Sequence, residues 1–160
     1  MPEDYKILHE IGLKALRVAA AVRAEFGNES VGKIYTAMGG CYHHDEGDID
    51  EPAALEELLQ ACGLPTRLAS AANNESLDKD IQADMDQAIA KAGTDVGVPQ
   101  IVLDGGQGPG FFGPVMSPAP TGEDAVKFWD AIIAAGSMPG FFELKRTREV
   151  DPIFGERPEI

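Results

Sequence analysis

The chain of 160 residues carries 27 acidic against 13 basic residues, a formal charge of −14, with 44% apolar and 25% charged residues. That length and composition suit a globular domain with a sizeable core. The acidity sets the surface against nucleic-acid phosphates and anionic membranes, so neither is an expected partner, and its simplest role is solubility.

No apolar run approaches the roughly 18 residues of a membrane span. The opening "MPEDYKILHEIGLKALRVAA" interleaves charges with apolar positions, unlike a secretory signal. Cys41 and Cys62 are the two cysteines. Their spacing fits neither a disulfide framework nor a CxxC redox or zinc motif, so free thiols in a cytoplasmic setting are the default.

From Met1 to about Ala92 the pattern is helical. Pro2, Glu3 and Asp4 begin a first helix, because acids favour its positive end. Ile7, Ile11, Ala15, Val18 and Val22 recur at helical spacing on one face. "FGNES" breaks the run. Ser30 is placed to cap a second helix, which carries Ile34, Tyr35 and Met38 and ends near Gly39-Gly40. "CYHHDEGDID" reads as a polar connection. Pro52 opens a short helix stopped by Gly63 and Pro65. A further helix follows Asn73 or Asn74 as cap, with Leu77, Ile81, Met85, Ala88 and Ile89 as its apolar stripe and Gly93 beyond its end.

After Gly93 the period changes. "PQIVLD" is short, β-branched and apolar, and reads as a buried strand. "GGQGPG" is a turn and "FFGPVM" the partner strand of a hairpin. Thr121 and Asp124 approximate a capping box for a helix whose apolar face bears Val126, Trp129, Ile132 and Ile133. "PGFFELKRTR" is expected to add a last short helix, and the tail from Glu149 to be loosely ordered.

Candidate chemistry is sparse. Cys62 ends a helix, where the dipole disfavours a thiolate, and Cys41 lies near acids, so both read as ordinary structural thiols. His43, His44, Asp45, Glu46, Asp48 and Asp50 offer many donor atoms but lack the order of an EF-hand or a helical zinc site, so no metal is expected. The glycines of "DGGQGPGFFG" lead into a strand rather than a helix N-terminus, which favours a hairpin turn over a phosphate cradle. "KRTR" is a lone basic patch that most simply balances neighbouring acids.

The words "YTAMG" at Tyr35–Gly39, "GVPQI" around Pro99, "FFGPV" at Phe111–Val115 and "FFELKRTR" at Phe141–Arg148 stand in an order that resembles the DsbA-type thioredoxin-like family, closest to actinobacterial mycothiol-dependent nitroreductases. The resemblance runs from about Pro2 to Phe154. It implies a helix-dominated α/β chain with a thioredoxin-like, DsbA-type fold. Residues 1–92 would be the helical insertion domain, 93–148 the β-hairpin and helices completing the sheet, and 149–160 a tail. The N-terminal β-α-β unit, with its catalytic CxxC, would be missing, so no catalytic residue is assigned. The resemblance further implies a cis Val98-Pro99 bond presenting the Val98 backbone to a thiol or disulfide substrate. Tyr5 and His43 would be further substrate contacts. Mycothiol or a similar low-molecular-weight thiol would be the electron donor, with no cofactor bound.

Two other readings stay open from the residues alone: a non-enzymatic binding domain of helical-bundle type, and a metal-binding module using the histidine-acid run. If the strand at Pro99 lacks a partner on its second side, the resulting apolar edge would promote self-association.

Overall fold

A computed structural model describes residues 3–160, with side chains from Lys6 onward. The expected helix start at Pro2 lies outside the described residues. The order is α1 (Glu3–His44), α2 (Pro52–Ala61), 3-10 segments at Thr66–Asn73 and Glu75–Leu77, α3 (Asp78–Ala92), β1 (Gln100–Val102), a 3-10 turn at Asp104–Gly106, β2 (Gly110–Phe112) and α4 (Gly122–Gly136). This is a helix-dominated α/β chain with one two-stranded sheet among the described residues. It divides into two compact units, residues 1–83 with 156–160, and residues 84–155, so the division falls within α3.

In the first unit, the break expected at "FGNES" is made by Gly27. Its φ of 77° and ψ of 178° are open only to glycine, and they split α1 into two arms. Val18 and Val22 from one arm join Ile34, Ala37 and Met38 from the other in a single core with Leu55, Leu58 and Leu59 of α2 and Leu64, Leu68, Ala69, Ala71 and Ala72 beyond it. The stripe of the first arm is graded, from exposed Ile7 to fully buried Val18 and Val22. Tyr35, next to buried Ile34, is exposed.

Three local expectations need correction here. Ser30 does not cap the second arm; its hydroxyl donates back to the Phe26 carbonyl, a bond available because the arm restarts before it. The helix does not stop at Gly39-Gly40 but continues to His44, so Cys41 to His44 are helical rather than a loop. Glycine costs about 1 kcal/mol in a helix interior, and the burial of Ile34, Ala37 and Met38 on the same arm outweighs it. The segment 66–73 is a 3-10 element that supplies four buried side chains, where its sequence shows no period to announce it. Pro52 does open α2, and the Asn74 side chain does cap, accepting from the Ser76 N–H just before α3.

Arginine and lysine tie the first unit together at its margins. Arg17 places Nε 2.6 Å and Nη2 2.7 Å from the two oxygens of Asp78, and its Nη1 donates to the Ala72 carbonyl. Arg67 forks onto Glu25 at 2.8 and 2.6 Å, and Lys14 reaches Asp50 at 2.8 Å.

In the second unit, β1 and β2 pair antiparallel with Gln100 opposite Phe112, Ile101 opposite Phe111 and Val102 opposite Gly110. The turn between them carries positive φ at Asp104, Gly105 and Gly106, which is hairpin chemistry and not a phosphate cradle. β2 is shorter than "FFGPVM", because Gly113 takes a φ of 96° and Pro114 has no N–H to donate. Successive residues of β2 face opposite sides. A Cβ on Gly110 would come within 2.8 Å of Lys91 Cβ, and one on Gly136 within 2.5 Å of the Phe111 ring. The end of α3 therefore lies on one face of the hairpin and the end of α4 on the other.

Two further expectations fail in this unit. Thr121 is the N-cap of α4 but makes no side-chain cap bond, because Gly122 turns the chain with a φ of 58°, and Asp124 lies 3.7 Å from Lys127 instead of reaching back. "PGFFELKRTR" forms no helix. Phe142 and Leu144 are almost fully exposed, and a short segment with nothing to pack on does not hold a helix in water.

Candidate functional site

Val98 and Pro99 enter β1 from the loop after α3. The Val98–Pro99 bond is cis, as are Gly113–Pro114 and Ser117–Pro118. The Pro99 carbonyl accepts from the Gly113 N–H at 2.8 Å, which anchors the loop to the hairpin. Phe112 packs against Gly97 behind it. Val98 is left 83% exposed, an unusual position for a β-branched apolar side chain.

Beside it is an apolar hollow of about 310 Å³, lined by Met85, Ala88 and Ile89 of α3 together with Val98 and Gln100. The Met85, Ala88 and Ile89 part of the expected apolar stripe forms this wall, and no side chain of α3 is buried. Gln100 is the polar residue of an otherwise apolar strand. Its Oε1 is shielded from solvent and has no hydrogen-bond partner. An orphan acceptor of this kind calls for a donor. The lone glutamine within "PQIVLD" was the available signal for it.

The other expected contacts belong to the first unit. His43 sits exposed in the last turn of α1, edge-on to the Tyr42 ring with centroids 5.0 Å apart, in the first unit. Tyr5 is in the first turn of α1, and its side chain is outside the described residues. Among the described residues no group of three or more His, Cys, Asp or Glu converges to hold a metal ion. Two acids of that run are engaged by cations, Asp45 by Arg157 and Asp50 by Lys14.

Both cysteines are free and half-buried. Burial pushes the Cys41 thiol up, and the carboxylates of Asp45 and Asp48 add to that, with Arg157 opposing. Burial likewise pushes Cys62 up, against a smaller effect of Lys33. Neither is poised as a thiolate near neutral pH.

A family model described as mycothiol-dependent nitroreductase Rv2466c matches residues 1–146, a span that includes both units' helices, the hairpin and the Val98–Pro99 loop. The chain belongs to this family. It is also similar to an uncharacterised protein of Mycobacterium tuberculosis, Rv2286c, with 28% identity over 138 residues. That alignment covers 86% of this chain and 57% of the relative, so the chain spans little more than half the length of the curated relative it matches. Among the described residues no helix is long and apolar enough to cross a membrane.

Proposed function

We propose that this chain is the substrate-docking part of a mycothiol-linked reductase of disulfides or nitro compounds, with a DsbA-like, thioredoxin-type arrangement and a catalytic CxxC supplied from outside these 160 residues. The observation that supports it is the hollow at the Val98–Pro99 loop in a chain matched by this family. Its wall offers apolar contact to a sulfur placed there, and the exposed Val98 bounds the entrance. A hydroxyl-rich thiol such as mycothiol suits Gln100, the polar residue of the lining. When bound, such a thiol supplies electrons by forming a disulfide as the substrate sulfur leaves. The residues of this chain hold and orient it, with Val98, Pro99 and Gln100 nearest.

The test is a titration of the isotopically labelled chain with mycothiol disulfide, followed by amide shifts. Changes centred on residues 85–89 and 97–101, and weakened by Val98→Asp, are the expected result. Shifts scattered over the surface, or none at millimolar ligand, would overturn it.

A second reading, a non-enzymatic binding domain, draws on the two thiols. Burial raises the pKa of both, so neither is activated as a thiolate by its surroundings. Catalysis of mycothiol–disulfide exchange by the chain alone would count against this reading.

A further inference from the structure

The end of α1 is an electrostatic problem. Asp45, Glu46, Asp48 and Asp50 follow its last turn, where the negative end of the helix dipole repels carboxylates. Two cations distant in sequence meet them there, Lys14 at Asp50 and Arg157 at Asp45. Arg157 makes the stronger geometry. Its Nε lies 3.0 Å from both oxygens of Asp45 and its Nη2 2.7 Å from Oδ2, the two-pronged grip that distinguishes arginine from a point charge. The guanidinium rests against Gly40, where a Cβ would meet Cζ at 3.4 Å.

Asp45 is the first residue of a loop that folds back on the helix. Its N–H donates to the Gly40 carbonyl, and the Gly47 N–H to the Cys41 carbonyl at 2.9 Å. Gly47 lies so close over the Cys41 sulfur that a Cβ there would come to 2.6 Å, and the sulfur faces the Asp48 carbonyl at 3.7 Å. Arg157 thus holds the start of the segment that covers Cys41. Residues 156–160 group with α1 in the first unit, although Ile160 is half exposed and adds little apolar anchorage.

We infer that residues 156–160 are a charge latch, closed by Arg157 on Asp45, which holds the 45–50 loop over Cys41 and the last turn of α1. The latch is independent of the thiol-docking reading, because it involves neither Val98 nor the hollow. An ion pair at the surface is screened by salt, whereas an apolar clasp is not. Opening is therefore expected as ionic strength rises.

Alkylation of the whole chain by iodoacetamide, quantified at each cysteine by peptide mass spectrometry, tests this with Cys62 as internal reference. Two effects of Arg157→Ala have opposite signs. Loss of the positive charge disfavours the Cys41 thiolate and would slow the reaction, while release of the loop would speed it. The latch predicts that Cys41 reacts about two- to fivefold faster in Arg157→Ala, the range an exposed ion pair supplies, with Cys62 unchanged. High salt should accelerate Cys41 in the parent chain and have little further effect in the variant. The exchange Asp45→Arg with Arg157→Asp should return the slow rate. Slower or unchanged Cys41 in Arg157→Ala, equal acceleration of both cysteines, or a fast rate in the exchanged pair would each overturn the latch.

Discussion

The two compact units bury apolar side chains to very different extents. In the first, thirteen residues from α1, α2 and the segment 64–72 form one closed cluster, and the charged side chains Arg17, Arg67 and Lys14 lie around it in ion pairs. In the second, among the described residues, Leu103 is the one apolar side chain buried to the same degree. Val126, Phe128 and Trp129 of α4 and Met85 and Ile89 of α3 remain substantially exposed. The hairpin has helices on both faces but, among the described residues, only two strands, so its stability rests on those helices. The first unit therefore has the means to hold itself together. The second has apolar surface that still seeks cover.

Core truncation should separate the units most sharply. Leu59 is fully buried, so Leu59→Ala should lower unfolding stability by about 2–5 kcal/mol in urea. An unchanged urea midpoint would mean that the first unit does not carry the fold. The next effect concerns the hairpin edge. Pro99 and Leu103 direct their bonds to β2, so Gln100 and Val102 direct theirs to the other side of β1, which has no strand partner among the described residues. Sedimentation of the chain should show association growing with concentration, and Val102→Pro should weaken it by removing an edge N–H. A compact monomer at every concentration would count against the exposed-edge account.

A smaller effect follows from acid. Arg17, Arg67 and Arg157 hold the carboxyls of Asp78, Glu25 and Asp45 below their ordinary values through hydrogen-bonded ion pairs. Groups depressed in the folded state add stability that is present above their unfolded pKa and lost as pH falls through the folded one. The urea midpoint should therefore fall between about pH 5 and about pH 2, and Asp78→Asn should lower it at neutral pH while flattening that fall. Equal pH dependence in the variant would remove Asp78 from the account. The smallest effect belongs to α4. Val126 is 62% exposed, so Val126→Ala in the monomeric state should change stability by no more than about 0.5 kcal/mol. A larger loss would show that this face is covered.

Much of this contrast was written in local patterns. Helical spacing at Val18, Val22, Ile34 and Met38 marked the first core, and Pro52, Asn74 and the glycines after Leu103 marked element boundaries. The hairpin itself followed from two short apolar runs around a glycine turn. What escaped depended on distant neighbours. The α1 helix passes through Gly39-Gly40 because residues on the same arm are buried against α2 and the 66–73 segment, none of which is adjacent in sequence. Arg157 finds Asp45 across 112 positions, a pairing no local rule could supply. In the hollow, Met85 and Ile89 showed the same period as core residues. Periodicity reports that a face is apolar and does not report whether anything covers it.

Gly27 also changes what α1 is. A straight α-helix rises about 1.5 Å per residue, so Val18 and Met38, twenty positions apart, would stand roughly 30 Å from each other along it. They share one core because one residue without a Cβ lets the chain double back. The left-handed φ there leaves open space around the missing atom, so the restriction on side chains is conformational and not steric crowding by neighbours. An alanine would fit the surroundings and still oppose the crease. The position is therefore the crease of the core: any side chain there would strain the bend that makes residues 3–44 two walls of one chamber.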